Sequence, residues 1–214
     1  GMDRCVFLEV ADLDRDGDRE LVCIAASDGW QGNGRVLVLD PLTLAVEWST
    51  PSGVIGSAGA VGNVDADPAL EIVTAAGYVY DGATRANQWA YGPGFGSFVD
   101  TGDLDGDQIE EIVGGVDWTA VRVYGAVARS PLYEVTTSDI DTLRVADLDG
   151  NGRAEVLVGD GQWGEVTAYA HSATAPRLVE VFAINSQEHG VTSIATGDVD
   201  GDGALEFVWG SGAS

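Results

Sequence analysis

The chain carries the sequence DLDRDGDRELV at residues 12–22, and variants of this acidic stretch recur four more times among its 214 residues. The copies start at positions 12, 63, 103, 147 and 198, so they are separated by 51, 40, 44 and 51 residues. Each acidic turn is followed at once by a β-rich run, such as residues 21–24. A spacing in the forties is typical of one four-stranded propeller blade.

Two further runs complete each repeat. An alternating run occupies residues 35–39 in the first repeat, and a later run carries one large aromatic residue per repeat: Trp48, Trp89, Tyr133 and Phe182. No stretch shows sustained 3.6-residue periodicity, so we expect almost no helix. A four-stranded meander (strands A to D, with the acidic turn between A and B) cannot bury both of its faces alone, so neighbouring repeats must stack around an axis. The sequence therefore predicts an all-β fold, a single β-propeller domain of four-stranded antiparallel blades over residues 1–214.

The fifth repeat is short, because only residues 207–214 follow Glu206. That length suffices for a B strand, so about four and a half blades are present. Two ways of completing the propeller stay open. The chain is a segment of a propeller of about six to eight blades, completed by strands of a parent chain, or a partner copy closes it as an oligomer.

The acidic turns have the chemistry of a calcium site. Calcium takes about six to eight oxygen ligands, and acidic residues at alternate positions of a tight turn supply them. In the first copy, positions 1, 3, 5 and 9 are Asp12, Asp14, Asp16 and Glu20, and the backbone carbonyl of Asp18 is expected at position 7. An EF-hand differs, since its bidentate glutamate stands at position 12 and a helix follows. Magnesium is less suited because it demands octahedral geometry.

The five loops span residues 12–20, 63–71, 103–111, 147–155 and 198–206. The candidate ligands in the later four are Asn63, Asp65, Asp67, Glu71, Asp103, Asp105, Asp107, Glu111, Asp147, Asp149, Asn151, Glu155, Asp198, Asp200, Asp202 and Glu206. Loop 2 is predicted to be the weakest site, because Asn63 replaces an acid and Pro68 replaces glycine. In loop 3, Gln108 stands where glycine is expected. We predict three to five calcium ions; the alternative is a set of solvated acidic hairpins without metal.

The signature Asp-x-Asp-x-(Asp/Asn)-Gly-x-x-Glu, with a small residue before it and an apolar pair after it, resembles the FG-GAP/VCBS repeats. These occur in integrin α-subunit propellers and in many bacterial surface and secreted proteins. The resemblance implies a calcium-binding propeller with its metal loops on one face. It also implies an adhesion or ligand-recognition scaffold outside the cell. Some polysaccharide lyases resemble this family too, so the alternative is the propeller domain of a secreted polysaccharide-active enzyme.

Charge supports the metal prediction. The chain has 35 acidic residues against 10 arginines and no lysine, a net charge of −25. Twenty of the acids lie in the five loops, together with three of the arginines. Without a cation these carboxylates repel each other, so a chelator should destabilise the fold. The absence of a basic stripe excludes the electrostatics of nucleic-acid binding, and no run approaches the roughly 20 apolar residues of a membrane-spanning helix.

The B–C and D–A connections are predicted on the face opposite the acidic loops. Three B–C connections carry a tryptophan (Trp30, Trp118 and Trp163), and a D–A connection carries Tyr91 and Phe95. Exposed aromatic rings on loops indicate a binding surface for a protein or carbohydrate. The alternative is that each ring packs over its own blade.

Catalysis has little support in the composition. The chain has two histidines, no lysine and no Gly-x-Ser-x-Gly sequence, and we expect His171 to be a solvated loop residue. Cys5 and Cys23 are expected to be free thiols, since hairpin pairing places Cys23 opposite about residue 9, too far from Cys5 for a disulfide. Residues 1–4 show no signal-peptide pattern, so any export signal was removed or never present. Extracellular placement is expected because millimolar calcium suits loops of moderate affinity.

Overall fold

The computed structural model describes residues 4–26, 34–52, 58–116, 118–137, 139–175, 177–185 and 190–212. These residues form eighteen strands and no helix, so none of them forms an apolar helix long enough to cross a membrane. The strands are β1 (Arg4–Ala11), β2 (Glu20–Ala26), β3 (Arg35–Leu39), β4 (Val46–Ser49), β5 (Gly59–Gly62), β6 (Glu71–Thr74), β7 (Tyr78–Asp81), β8 (Asn87–Ala90), β9 (Phe98–Gly102), β10 (Glu111–Val116), β11 (Ala120–Gly125), β12 (Ser130–Thr136), β13 (Ile140–Ala146), β14 (Glu155–Asp160), β15 (Glu165–His171), β16 (Leu178–Asn185), β17 (Val191–Gly197) and β18 (Glu206–Ser211).

The strands pair in chain order into four antiparallel meanders and one hairpin. Blades 1 to 4 are β1–β4, β5–β8, β9–β12 and β13–β16, and β17–β18 form the hairpin. The sequence prediction of four-stranded blades followed by half a blade is therefore confirmed. The sheets do not close into a ring within the described residues, so the architecture is that of a partial propeller.

Neighbouring blades share one hydrophobic core at each junction. Blades 1 and 2 meet around Leu13, Ile24 and Ile72, and the other junctions repeat the arrangement. Each A strand contacts the A strand of the next blade, from β1 through β5, β9 and β13 to β17. The A strands therefore lie innermost, and burial between blades supplies the main driving force for stacking them.

The aromatic residue of each D strand contacts the next blade. Trp48 meets Tyr80 with ring centroids 5.5 Å apart, and Phe182 stacks on Phe207 at 5.8 Å. Tyr133 stacks on His171 at 5.7 Å. His171 therefore ends a strand and packs against the preceding blade, which corrects the expectation that it is a solvated loop residue.

Tyr91 and Phe95 belong to the core between blades 2 and 3. Phe95 has no exposed surface, and its ring lies 4.9 Å from Tyr124, 5.1 Å from Trp89 and 5.9 Å from Tyr91. The backbone also approaches closely here, since a Cβ at Gly114 would overlap the carbonyl oxygen of Phe95. The prediction of a ligand-facing Phe95 is therefore wrong, because this connection folds inward. Tyr91 is half-buried against the same cluster.

Cys5 and Cys23 form a disulfide, so the prediction of two free thiols is also wrong. A bulge between Cys5 and Phe7 shifts the register, so that Cys5 pairs with Ala25 while Leu8 pairs with Cys23. The two cysteines thereby become diagonal neighbours. Their Cα atoms lie 6.0 Å apart, within the range of about 4.4–6.8 Å that disulfides require.

We predict that Phe95→Ala lowers the free energy of unfolding by about 3–5 kcal/mol, because it opens a cavity at a junction between blades. Urea denaturation monitored by circular dichroism measures the change. Trp163→Ala is the matched control, since this exposed ring should contribute within about 0.5 kcal/mol. Equal effects of the two substitutions would contradict the assignment of Phe95 to the core.

Candidate functional site

The five acidic loops all connect an A strand to a B strand. Loop 1 joins β1 to β2, loop 2 joins β5 to β6, loop 3 joins β9 to β10, loop 4 joins β13 to β14, and loop 5 joins β17 to β18. Because the blades stack with their A strands side by side, the loops form a row at one end of the molecule. The C–D turns lie at the same end, and the B–C and D–A connections lie at the other.

Each loop brings three carboxylates together. One oxygen from each member of a triad lies within 4.8 Å of the others. The triads are Asp12, Asp14 and Glu20; Asp65, Asp67 and Glu71; Asp103, Asp105 and Glu111; Asp147, Asp149 and Glu155; and Asp198, Asp200 and Glu206. Positions 1, 3 and 9 supply the triad in four loops, and positions 3, 5 and 9 supply it in loop 2. The predicted ligands at positions 1, 3 and 9 thus converge in four loops, whereas the position-5 carboxylates of Asp16, Asp107 and Asp202 are not members of these triads.

The glutamate at position 9 closes every loop. One carboxylate oxygen accepts a hydrogen bond of 2.8–3.0 Å from the backbone N–H at position 2, which belongs to Leu13, Val64, Leu104, Leu148 and Val199 in turn. The glutamate also begins strand B and is buried in loops 1 to 4. In loop 2 the Oε1 atom of Glu71 is buried with no hydrogen-bond partner.

Burial raises the pKa of these glutamates. The pKa of Glu71 rises to about 8, and that of Glu111 rises to about 7. Removal from water is the largest cause, and repulsion from the loop aspartates adds to it, while the N–H at position 2 opposes it. Burial also raises the pKa of Glu20 and Glu155. A cation beside such a carboxylate would favour the ionised form and lower its pKa.

The aspartate at position 1 holds the turn in loops 1, 3, 4 and 5. Its Oδ2 atom accepts the backbone N–H of position 6 at 2.8–3.1 Å. In all five loops the side chain at position 5 accepts the N–H of position 7 at 2.8–2.9 Å. Asp18 itself is exposed and contributes no carboxylate to the triad.

Positions 4 and 6 adopt left-handed backbone conformations in the same four loops. Gln108 has φ 72°, close to the values of 84° and 93° at Gly152 and Gly203. Loop 3 thus keeps the common turn although it lacks the glycine, at the cost of strain for a residue with a Cβ. Loop 2 has no left-handed residue at Ala66 or Pro68.

Loop 2 uses a different internal bond. The amide nitrogen of Asn63, in the orientation that satisfies both ends of the side chain, donates to the carbonyl oxygens of Asp65 (2.8 Å) and Asp67 (3.2 Å). Gln88, which sequence reasoning missed, reaches this loop from β8. Its Nε2 atom donates to the Oδ2 atoms of Asp65 at 2.9 Å and Asp81 at 3.1 Å. No local pattern identifies Gln88, because the contact spans 23 residues.

Two of the predicted ligand-face tryptophans are exposed at the opposite end. Trp118 is 61% exposed and Trp163 is 69% exposed, and both lie in B–C connections of consecutive blades. The Asp160 carboxylate fixes the second connection by accepting the backbone N–H of Trp163 at 2.6 Å. Trp30 lies outside the described residues, so its predicted role stays a prediction.

We predict that the metal-free protein loses stability as the pH rises from about 4.5, the ordinary pKa of a glutamate, to about 8, the folded-state pKa of Glu71. The folded-state pKa of Glu71 lies above its unfolded value, so its contribution to stability is present at low pH. That contribution is lost as the pH rises through the folded pKa. The limit is about 1.4 kcal/mol per pH unit for each proton. Denaturation in excess EDTA measures the slope, and Glu71→Gln should flatten it. A stability that rises across this range would contradict the prediction.

Comparisons with known proteins agree with this architecture. Residues 147–209 match the family of FG-GAP-like repeats, which confirms the resemblance predicted from the acidic loops. A search of curated proteins found no match to the sequence.

Three solved structures illustrate the fold. The BBS1N–ARL6DN complex gives a TM-score of 0.62 at 17% identity, over 92% of this chain and 57% of that one. Sqt1 of Saccharomyces cerevisiae gives a TM-score of 0.67 at 11% identity, over 97% of this chain and 57% of that one. BamB of Moraxella catarrhalis gives a TM-score of 0.55 at 17% identity, over 87% of this chain and 52% of that one. The chain thus spans little more than half the length of these structures. It has the fold of a β-propeller module, and its residues 147–209 match an FG-GAP-like repeat.

Proposed function

We propose that this chain is a calcium-binding propeller module that recognises a ligand outside the cell through the face opposite its acidic loops. The observation that carries the calcium proposal is the carboxylate of Glu71. This side chain is fully buried, its Oε1 atom has no partner, and Asp65 and Asp67 lie beside it. A buried carboxylate without a partner is costly, and a cation held by the same triad removes that cost.

The donor set favours calcium over other metals. Every candidate ligand side chain in the loops offers oxygen, and none offers sulfur or an imidazole nitrogen. Calcium accepts carboxylates, backbone carbonyls and water in flexible geometry. When bound, it would neutralise the carboxylates that cluster in each loop. Residues at positions 1, 3, 5 and 9 would hold it, with positions 3, 5 and 9 carrying loop 2.

Calcium should raise the midpoint of thermal unfolding strongly, whereas magnesium should have little effect. Each site filled at a hundredfold excess over its Kd adds about 2.7 kcal/mol of stability. Melts in EDTA, calcium and magnesium measure this, and titration calorimetry counts the ions. Glu155→Gln should remove one ion, while Glu180→Gln, on the exposed strand β16, should remove none. Identical melts in EDTA and calcium would mean that the loops are empty hairpins.

The exposed tryptophans support recognition of a neutral carbohydrate. An indole ring offers a flat face to the C–H groups of a sugar ring, and the exposed side chain of the neighbouring Gln162 offers hydrogen-bonding groups for hydroxyls. An anionic chain would need cationic partners on this face. Of the described arginines, only Arg4 and Arg35 begin strands at this end of the blades. With a net charge of −25, the molecule repels polyanionic chains.

Two features support placement outside the cell. The Cys5–Cys23 disulfide suits an oxidising compartment. Loops of moderate affinity are filled where calcium is millimolar.

We predict that the chain binds neutral hexasaccharides and that Trp118→Ala and Trp163→Ala each weaken this binding at least tenfold. The substitutions remove stacking surface without disturbing the core. Calorimetry with xylohexaose, cellohexaose and mannohexaose tests the prediction, with polygalacturonate as the anionic comparison. Leu42→Ala, an exposed residue at the loop end, is the control variant. Preference for polygalacturonate, unaffected by the tryptophan substitutions, would contradict the proposed surface.

A further inference from the structure

Neighbouring acidic loops are joined by backbone hydrogen bonds. In loops 2, 3 and 4, the N–H at position 8 donates to a carbonyl oxygen at position 1 or 2 of the preceding loop. The bonds run from Leu70 to Leu13 (2.8 Å), from Glu110 to Asn63 (2.7 Å) and from Ala154 to Asp103 (2.7 Å). Loops 1 to 4 therefore form a continuous hydrogen-bonded row.

These bonds join residues that carry or flank candidate ligands. Ala154 directly precedes Glu155, and its bond ends on the backbone of Asp103, a member of the preceding triad. Loops 1 and 2 share a second link, because the Nε atom of Arg15 donates to the carbonyl oxygen of Pro68 at 3.0 Å. The junction is tight, since a Cβ at Gly82 would overlap the carbonyl oxygens of Leu70 and Leu13.

Loop 5 stands apart from this row. No equivalent bond joins loops 4 and 5 among the residues that the structure describes. Glu206 is also more exposed than the buried glutamates of loops 1 to 4. The molecule thus contains its own uncoupled reference loop.

We propose that loops 1 to 4 bind calcium cooperatively, with Arg15 as a positioning residue between loops 1 and 2, and that loop 5 binds independently. This inference rests on the proposed calcium function. An ion in one loop orders the backbone at positions 1 and 9, and the connecting bond then orders the ligands of the next loop. The next ion therefore loses less conformational entropy when it binds. Repulsion between the exposed charges of neighbouring loops should oppose this coupling only weakly, because it is screened over about 8 Å at physiological salt.

Two substitutions at position 3 separate the coupled row from the reference loop. Asp105→Asn in loop 3 and Asp200→Asn in loop 5 each remove one carboxylate from a triad. Both should lower the number of bound ions by one in titration calorimetry. Asp105→Asn should also weaken the remaining sites about fivefold, the low end of typical coupling between sites, and lower the Hill slope. Asp200→Asn should leave the remaining affinities unchanged.

A second pair of variants tests the link without touching a ligand. Arg15→Ala and Arg19→Ala both remove one positive charge from loop 1, but only Arg15 reaches loop 2. Arg15→Ala should lower the Hill slope and weaken calcium binding by less than the effect of Asp105→Asn, with the ion count unchanged, because the backbone bond from Leu70 to Leu13 remains. Arg19→Ala should retain the wild-type slope. Equal effects would mean that charge alone acts and would overturn the role of Arg15.

The outcomes distinguish this inference from the function on which it rests. A wild-type protein that takes up no calcium refutes the proposed function itself. Full calcium uptake with a Hill slope of one, and unchanged remaining sites in Asp105→Asn, refutes the coupling and leaves the calcium function standing. Circular dichroism in EDTA verifies that each variant is folded before titration.

Discussion

The hydrogen bond from the position-2 N–H to the position-9 glutamate is the interaction on which each blade depends. It closes the A–B turn and sets where strand B begins, so the residue before the loop always pairs with the glutamate. The pairs are Ala11 with Glu20, Gly62 with Glu71, Gly102 with Glu111, Ala146 with Glu155 and Gly197 with Glu206. Small residues precede the loop because the next blade approaches there: a Cβ at Gly102 would overlap the Val145 side chain.

The blade architecture could be predicted from the sequence because its determinants are local and repeated. The acidic turn fixes the A–B hairpin, and the alternating run and the D-strand aromatic follow at similar distances in each repeat. The candidate ligands were predictable for the same reason, since their spacing within nine residues brings their carboxylates together. The exposure of Trp118 and Trp163 followed from their place in short B–C connections.

The sequence predictions that were wrong or missing concern contacts between separate strands and connections. The disulfide depends on a bulge at one residue of β1, and no sequence pattern marks that position. The burial of Phe95 depends on how the connection from blade 2 enters the space beside Tyr124, which lies on the next blade. Gln88 reaches Asp65 across the blade in the same way. In each case packing between elements, rather than local propensity, determines the outcome.

In loop 2, the residue that holds the turn is different from the residues that gather negative charge for a metal. Loop 2 has Asn63 in place of the acid expected at position 1 and Pro68 in place of the glycine expected at position 6. In the other loops the position-1 carboxylate accepts an N–H from position 6, and proline has no N–H to donate. Asn63 instead donates to two loop carbonyls, so the two changes compensate each other. Asp65, Asp67 and Glu71 still converge, and Glu71 keeps a buried oxygen without a partner. Position 1 therefore serves the turn in every loop. In loop 2, positions 3, 5 and 9 suffice to gather the charge that a cation would neutralise, whereas in the other four loops position 1 also supplies a carboxylate to the triad.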